Sequence, residues 1–535
     1  MNRAQDPIPP IAQWLFPSIK DVLFLGYLFG PSLLNESGVL YDSDTGWHIR
    51  HGETILRTWT LPTGDYFSYT NYGKPWFSWE WLADVFLALI HKYAGLNGIA
   101  FWANAMFALT FTLLFSWTTR RGGNILVCLL FSRVAGFAAA VHWLARPHLF
   151  SMLLVLLWYM LLERIQSQGS TGDGRLDKTG WVLPPLMVLW TNLHGAFVIG
   201  VVLLLIYSLG NFLSAVVRPE QARKSHAMRL ARHFLWIAVL CLVTSCVNPY
   251  GLKVHQHIFH SYLQSNTLVD RVNEFASPNF HSLVVKFFEA ILLAGLVIAA
   301  ASYRKLSFIE MGLLVFWTHL ALFSVRHVPL YAIMVVPILV RHLTEYLSDL
   351  QTDARFHPRI SAILQRFNRY SGNLLNFENR FTSLLYPAIA ILFMTGVCLN
   401  QGKFLGNTLT DAKFDGKQFP VKAADFVEQA GLKGNMFTTD YWGGYFIYRF
   451  HPRHKVFFDG RSDMYGEDFV KEYQRITNLD YRWQEILERY KVDWILLPVD
   501  YGLCSALKER KDWEILFDDH QSIIFQRRGG IGSIR

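Results

Sequence analysis

Asp42 and Asp44 stand two residues apart in the stretch Tyr41-Asp-Ser-Asp-Thr-Gly-Trp-His48. Two carboxylates at that spacing can share a divalent cation, or one can act as a base while the other tunes it. In an ordinary loop the same pair is more often a turn with solvated acids. Here it follows directly on an apolar run and is succeeded by His48, Arg50 and Gly52. A segment that only had to leave a membrane would need none of these. The acid-rich stretch continues through Asp65, Lys74-Pro75-Trp76 and Trp79-Glu80-Trp81. His48, Asp65 and Glu80 are its further candidates for binding a sugar or an acceptor.

A second set is cationic: Lys74, Arg146, His148, His194, Arg326 and His327. All but Lys74 stand where apolar runs begin or end. A phosphate site is the functional reading, with arginine as a bidentate donor. Snorkelling at a membrane interface, or pairing with the loop acids, is the plain one. Three separate runs ending in Arg or His tip the balance to phosphate. Other clusters carry less. His255, His257 and His260 could suggest a metal, but 255 and 257 are two apart and do not share a helix face, so a metal there is disfavoured. Arg133 reads as a buried structural charge or a pathway residue. Asp459-Gly460-Arg461-x-Asp463 is an acceptor loop or a plain strand-to-helix turn. Tyr441-Trp-Gly-Gly-Tyr445 is a sugar platform or a helix entry with packing aromatics.

The elements that must position these residues are mostly membrane helices. The 535 residues are 52% hydrophobic and only 17% charged, below the roughly one quarter usual in soluble chains. The net charge of +9 lies mainly in short loops between apolar runs. That is the positive-inside pattern, and it points to membrane lipids rather than nucleic acid as the partner. Five scattered cysteines give neither a disulfide framework nor a zinc pattern. The first apolar run starts near Trp14 and has no clear small-residue cleavage site, so a cleavable signal peptide is not expected.

About eleven spans are expected: about 14–34, 98–118, 124–145, 148–163, 181–194, 196–217, 234–248, 283–302, 306–325, 328–343 and 381–400. This order puts the N-terminus inside and the C-terminus outside. It also places the dense basic loops, including 218–233 and 341–380, on one side. Residues 77–96 are read as an amphipathic helix lying on the outer leaflet, with 35–97 as the first outer loop. An ordinary span is the alternative. Residues 1–400 are then the membrane domain. Residues 401–535 form an extracytoplasmic α/β domain, with helices at 420–432, 467–477 and 481–490 and strands at 435–439, 455–459, 493–498 and 522–527.

Asp42-Ser-Asp44-Thr-Gly-Trp-His48, Gly64-Asp65-Tyr-Phe-Ser-Tyr-Thr70, Gly73-Lys-Pro-Trp76 and Trp79-Glu-Trp-Leu82 together resemble the GT-C superfamily. These are multi-span glycosyltransferases that use lipid-phosphate-linked sugars. The pattern is most similar to bacterial members of the protein O-mannosyltransferase and lipid A aminoarabinose transferase type. The resemblance implies a multi-pass protein of the cell (inner) membrane, active in the cell envelope. A polyprenyl-phosphate sugar is its donor and an acceptor of unknown kind its second substrate. Carried over, the acceptor-deprotonating role falls on Asp44, or on Asp42 if the register differs. Arg146, His148, His194, Arg326, His327 and Lys74 then face the donor phosphate. A divalent metal, Mg or Mn, held by Asp42 and Asp44 is a candidate cofactor. Arg146-Pro147-His148 stands where the superfamily often has a further acid, which weakens the metal and favours direct stabilisation by cations. A transporter or flippase of lipid-linked or anionic solutes is the alternative function, and a non-catalytic assembly protein the third.

Overall fold

The computed structural model describes residues 10–34, 38–168, 178–217, 220–260, 273–352, 357–381 and 384–529. Seven described helices are long and apolar enough to cross a membrane: Trp81–Arg120, Ile125–His142, His148–Ser167, Phe197–Val217, Arg223–Thr244, Leu283–Ala301 and Val325–Gln351. The other four expected spans fall on the shorter apolar helices Ile19–Leu34, Leu183–Leu193, Phe308–Phe323 and Leu385–Leu399. Leu183–Leu193 has 11 residues, about 16 Å of helix, and cannot alone cross a hydrocarbon core of about 30 Å. The basic stretch 341–380 is not a loop. Val328–Thr352 runs on through it, and Pro358–Glu378 is a further helix. It crosses the ends of neighbouring spans, with Asn368 bonding Asn124 and Gln351.

Trp81–Arg120 is written as one 40-residue helix, but Gly95 breaks it with φ 58° and ψ −156°. That backbone is open only to glycine. The break separates 81–94 from the span that follows. Both ends of 81–94 touch the same side of the molecule. Glu80 lies beside His48, His91 bonds Tyr448, and Asn97 accepts the amide of Ala412. A segment that returns to one side at each end fits the in-plane reading of 77–96.

Beyond Leu399 the chain forms a small antiparallel ribbon, β1 (Lys403–Phe404) with β2 (Asn407–Thr408). A four-stranded mixed sheet follows, built from β3 (Asn435–Thr438), β4 (Val492–Pro498), β5 (Trp513–Asp518) and β6 (Ser522–Arg527) in the order β3-β4-β6-β5. β3 and β4 are parallel, and the other two pairings are antiparallel. Strand alternation sends Met436, Trp494, Leu496 and Ile524 to one face. Phe437, Ile495, Leu497 and Phe525 go to the other. Helices Val421–Ala430 and Asp440–Phe450 cover the first face, and Glu467–Thr477, Trp483–Arg489 and Gly502–Lys508 the second.

The expected strand at 455–459 is absent. Val456 makes a single bridge to Ser68, because Phe67 and Tyr69 take its backbone groups, and Asp459 is drawn into a turn with Arg461. The helix expected to 432 stops at Ala430, capped by left-handed Gly431. β5 has no clean alternation because a bulge lies between Ile515 and Phe517. The segment 41–81 packs as part of this domain: Trp47, Phe67 and Trp76 are buried in the same cluster as Phe446, Trp494 and Ile524.

Candidate active site

Helix Asp44–Thr58 begins at the paired acids. Asp42 Oδ1 accepts the backbone N–H of Asp44 at 2.8 Å, satisfying one of the donors a helix start leaves open. The other oxygen of Asp42 lies 2.8 Å from Arg146 Nη1, and Asp44 Oδ2 lies 3.1 Å from Arg146 Nη2. Arg146 reaches them because its loop is pinned to theirs. Ala145 N donates to Val39 O, and Thr45 Oγ1 to Ala145 O. The guanidinium has a third anionic partner, Glu274, at 2.6 Å. Glu274 arrives from a short helical turn tied to the segment before Arg326: Ser324 Oγ donates to Glu274 O and Val325 N to Ala276 O. Arg326 lies over the Phe275 ring at 4.7 Å, and its charge reaches both Glu80 and Glu274.

A second group adjoins the first. One turn on from Asp44, His48 hydrogen-bonds Asp84 through Nδ1 and places Nε2 3.6 Å from Glu80. The other oxygen of Glu80 lies 3.3 Å from His194 Nε2. His194 Nδ1 faces Ser151 Oγ at 2.9 Å, and that hydroxyl also takes the indole N–H of Trp190. Asp42, Asp44, Glu80, Arg146, His48, His194 and Arg326 are therefore brought into one neighbourhood.

Other expected members lie outside it. Lys74 is exposed and bonds Asn71 on its own turn. Residues 64–75 fold back on themselves, which turns it away. Asp65 is buried in the outer-domain interface, where it caps Phe67 and Ser68 and pairs with Arg461 at 2.9 Å. His148 spends Nε2 on the carbonyl of His142. His327 is largely buried below the site, with no hydrogen-bond partner at Nδ1. His255 and His257 diverge as their spacing implied, to Ser245 and Asp463 respectively. Arg133 lies over the rings of Tyr27 and Phe137, a structural role.

Two contributors were not placed beside the acids and Arg146 from the sequence. Glu274 is one acid in a long polar loop, without spacing to any other. Gly460, in the Asp459-Gly-Arg461 turn, presses directly on Asp44: a Cβ placed there would stand 2.1 Å from Asp44 Oδ1. Only glycine lets the outer domain approach the carboxylate this closely. Arg461 holds that turn through Asp459, Asp65 and the faces of Phe67 and Trp76.

The electrostatics separate the acids. Burial pushes the Asp44 carboxyl up to about 8; Arg146 opposes this, while Asp42 and Glu274 add to it. Burial also raises Glu80 to about 7, against the pull of His48. Burial works the same way on Glu274, but Arg146 and Arg326 outweigh it and hold that group down to about 2. Burial lowers His48 to about 3, so its imidazole is neutral. The site thus pairs an anchored anion, Glu274, with a proton-accepting group of high affinity, Asp44. A divalent cation shared by Asp42 and Asp44 would need the space that Arg146 occupies. The guanidinium already takes an oxygen of each, and the described residues hold no group of three or more His, Cys, Asp or Glu poised around one ion.

Comparison with solved structures gives the fold. The chain is similar to the oligosaccharyltransferase AglB from Archaeoglobus fulgidus in complex with an inhibitory peptide and a dolichol-phosphate. That match has 9% identity and a TM-score of 0.57, over 91% of this chain and 69% of that one. It is also similar to the A. fulgidus enzyme tethered to an acceptor peptide containing the NVT sequon, with 10% identity and a TM-score of 0.55 over 95% and 73% of the two chains. The apo form matches with 10% identity and a TM-score of 0.51 over 90% and 69%. No family model matches the sequence, and no curated protein does. The fold is shared with these oligosaccharyltransferases, in line with the resemblance of residues 40–85.

Proposed function

We propose that this chain, which has the GT-C fold, is a glycosyltransferase. It moves a sugar from a polyprenyl-phosphate donor to an acceptor at the outer face of the membrane, the side on which the domain from residue 401 lies. The observation that carries this is Arg146 bridging Asp42 and Asp44 where span ends meet the outer domain. A fold shared with an enzyme solved with a dolichol-phosphate supports a lipid-phosphate donor.

In this reading Asp44 is the general base. It takes the proton of the acceptor hydroxyl as that oxygen attacks the anomeric carbon. The carbon–oxygen bond to the phosphate breaks, and its electron pair leaves with the polyprenyl phosphate. Arg146 and Arg326 stabilise the charge growing on that phosphate, a preorganised contribution worth most where water is excluded. Asp42 and Glu274 hold the Arg146 fork in plane. Glu80 and His48 are the acceptor- or sugar-side groups, and His194 orients Glu80. Lys74, His148 and His327 have no direct part in this reading.

The test is turnover by purified protein in nanodiscs with a panel of radiolabelled polyprenyl-phosphate sugars, with and without EDTA. One donor consumed, with EDTA inert, is the expected result. Binding of a donor without turnover would overturn the enzyme and favour a transporter.

A further inference from the structure

A second polar chamber lies at the far end of the bundle, outside the site just described. It is a cavity of about 370 Å³ whose walls include Trp117, Arg121, Tyr159, Glu163, Glu310 and Arg341. Glu163 is 15 residues along its helix from His148, and Arg341 is 14 along its own from His327. At 1.5 Å per residue this is about 21–23 Å from the site end. Trp81–Arg120 ends at the chamber and Phe308–Phe323 begins there at Ser307, so it stands at the opposite end of the bundle, where helices terminate.

Its charges are balanced in two pairs. Arg121 meets Glu163 at 2.6 Å, and Arg341 meets Glu310 at 2.6 Å. Both carboxylates are fixed from behind, Glu163 by the Tyr207 hydroxyl and Glu310 by Ser307. The arginines are more open, with side chains 36% and 41% exposed. An anion alone would leave this chamber with excess negative charge, and a cation alone with excess positive charge. Both are costly in a low-dielectric wall. A zwitterion leaves the balance unchanged, since its phosphate takes guanidinium N–H groups while its ammonium donates to the released carboxylates. Trp117, whose ring packs edge-to-face on Tyr159 at 5.0 Å, holds the Arg121 guanidinium over its face at 5.3 Å and so fixes that arginine at the chamber wall. Beside the chamber, Phe212, Val216 and Val217 are exposed apolar side chains on the helix that lends it Asn211 and Ser214. They give acyl chains a surface.

We propose that this chamber binds a zwitterionic phospholipid headgroup bearing a primary ammonium, at the membrane face opposite the candidate active site. The proposal does not rest on the glycosyltransferase reading. The test uses the delipidated full chain in detergent, titrated with phosphatidylethanolamine, phosphatidylcholine or phosphatidylglycerol of identical acyl chains, with Tm and native mass spectrometry as readouts. Phosphatidylethanolamine is expected to bind about tenfold more tightly than phosphatidylglycerol and to raise Tm. Phosphatidylcholine, which has no ammonium N–H to give, is expected to bind more weakly. Arg121→Gln with Glu163→Gln is expected to erase the preference. Ser214→Trp, which fills the chamber and leaves its charges, is expected to do the same and serves if the double variant does not fold. Equal binding of all three lipids, or a preference that survives Ser214→Trp, overturns the proposal. Glycerophosphoethanolamine binding as tightly as the whole lipid would overturn the lipid as its source.

Discussion

At the scale of single residues, the account turns on the state of Asp44. Its folded pKa is raised to about 8, so the base is largely protonated at pH 6 and becomes available as pH rises. Transfer is expected to climb about tenfold per pH unit below that value and to level off above it, as read from kcat/KM profiles. Glu274 adds to the upward shift. Glu274→Gln should therefore move the limb to lower pH, and a limb that moves upward contradicts the assigned coupling. Gly460 makes a steric prediction. A methyl there collides with the Asp44 carboxylate, and a displacement near 1 Å can cost about 100-fold. Gly460→Ala should lose about that factor in kcat while its Tm stays near wild type. Retained activity would mean that the carboxylate does not work from this position.

Among elements, the break at Gly95 decides how the site is assembled. It lets 81–94 lie along helix Asp44–Thr58 and deliver Glu80 and Asp84 to His48. A side chain at φ 58°, ψ −156° costs about 1–3 kcal/mol. Gly95→Val should lower stability by that amount in a denaturation series. The same elements show how far the sequence could be read. Asp42, Asp44, Arg146 and Arg326 were legible because a membrane end is a costly place for a charge, so each one there asks for a reason. That 77–96 is a helix of its own was legible from its aromatic and acidic faces, and Gly95 is where it ends. Lys74 was misread because spacing along a loop does not give the direction in which it folds back. Glu274 was invisible, and the Asp459-Gly460-Arg461 turn was legible only as a candidate loop, because their nearness to Asp44 and Arg146 comes from chain segments that meet only in three dimensions. The strand expected at 455–459 failed for a similar reason, since its edge is used by the loop around Ser68.

Across the whole molecule, the division at residue 400 is a boundary of sequence composition more than of packing. Trp47, Phe67 and Trp76 complete one face of the outer domain, and buried Arg461 counts Asp65 among its anionic partners. Residues 401–535 expressed alone should therefore be less stable than the same domain within the full chain. Asp65→Asn should destabilise the full chain by about 1–2 kcal/mol, since the carboxylate accepts from the Phe67 and Ser68 amides and the Ser68 hydroxyl, while Asp459 still neutralises Arg461. A free domain with an unchanged unfolding transition would refute this interdependence. The arrangement also explains why the catalytic reading needs both parts: one supplies the acids and arginines, and the other closes on them through Gly460.

The most direct measurement is single-turnover consumption of the donor identified in nanodiscs, comparing wild type with Asp44→Asn. The account predicts a fall in rate of about 100- to 10,000-fold, the range of a lost general base, with donor affinity nearly unchanged because Arg146 and Arg326 remain. An Asp44→Asn protein that turns over at the wild-type rate would contradict it.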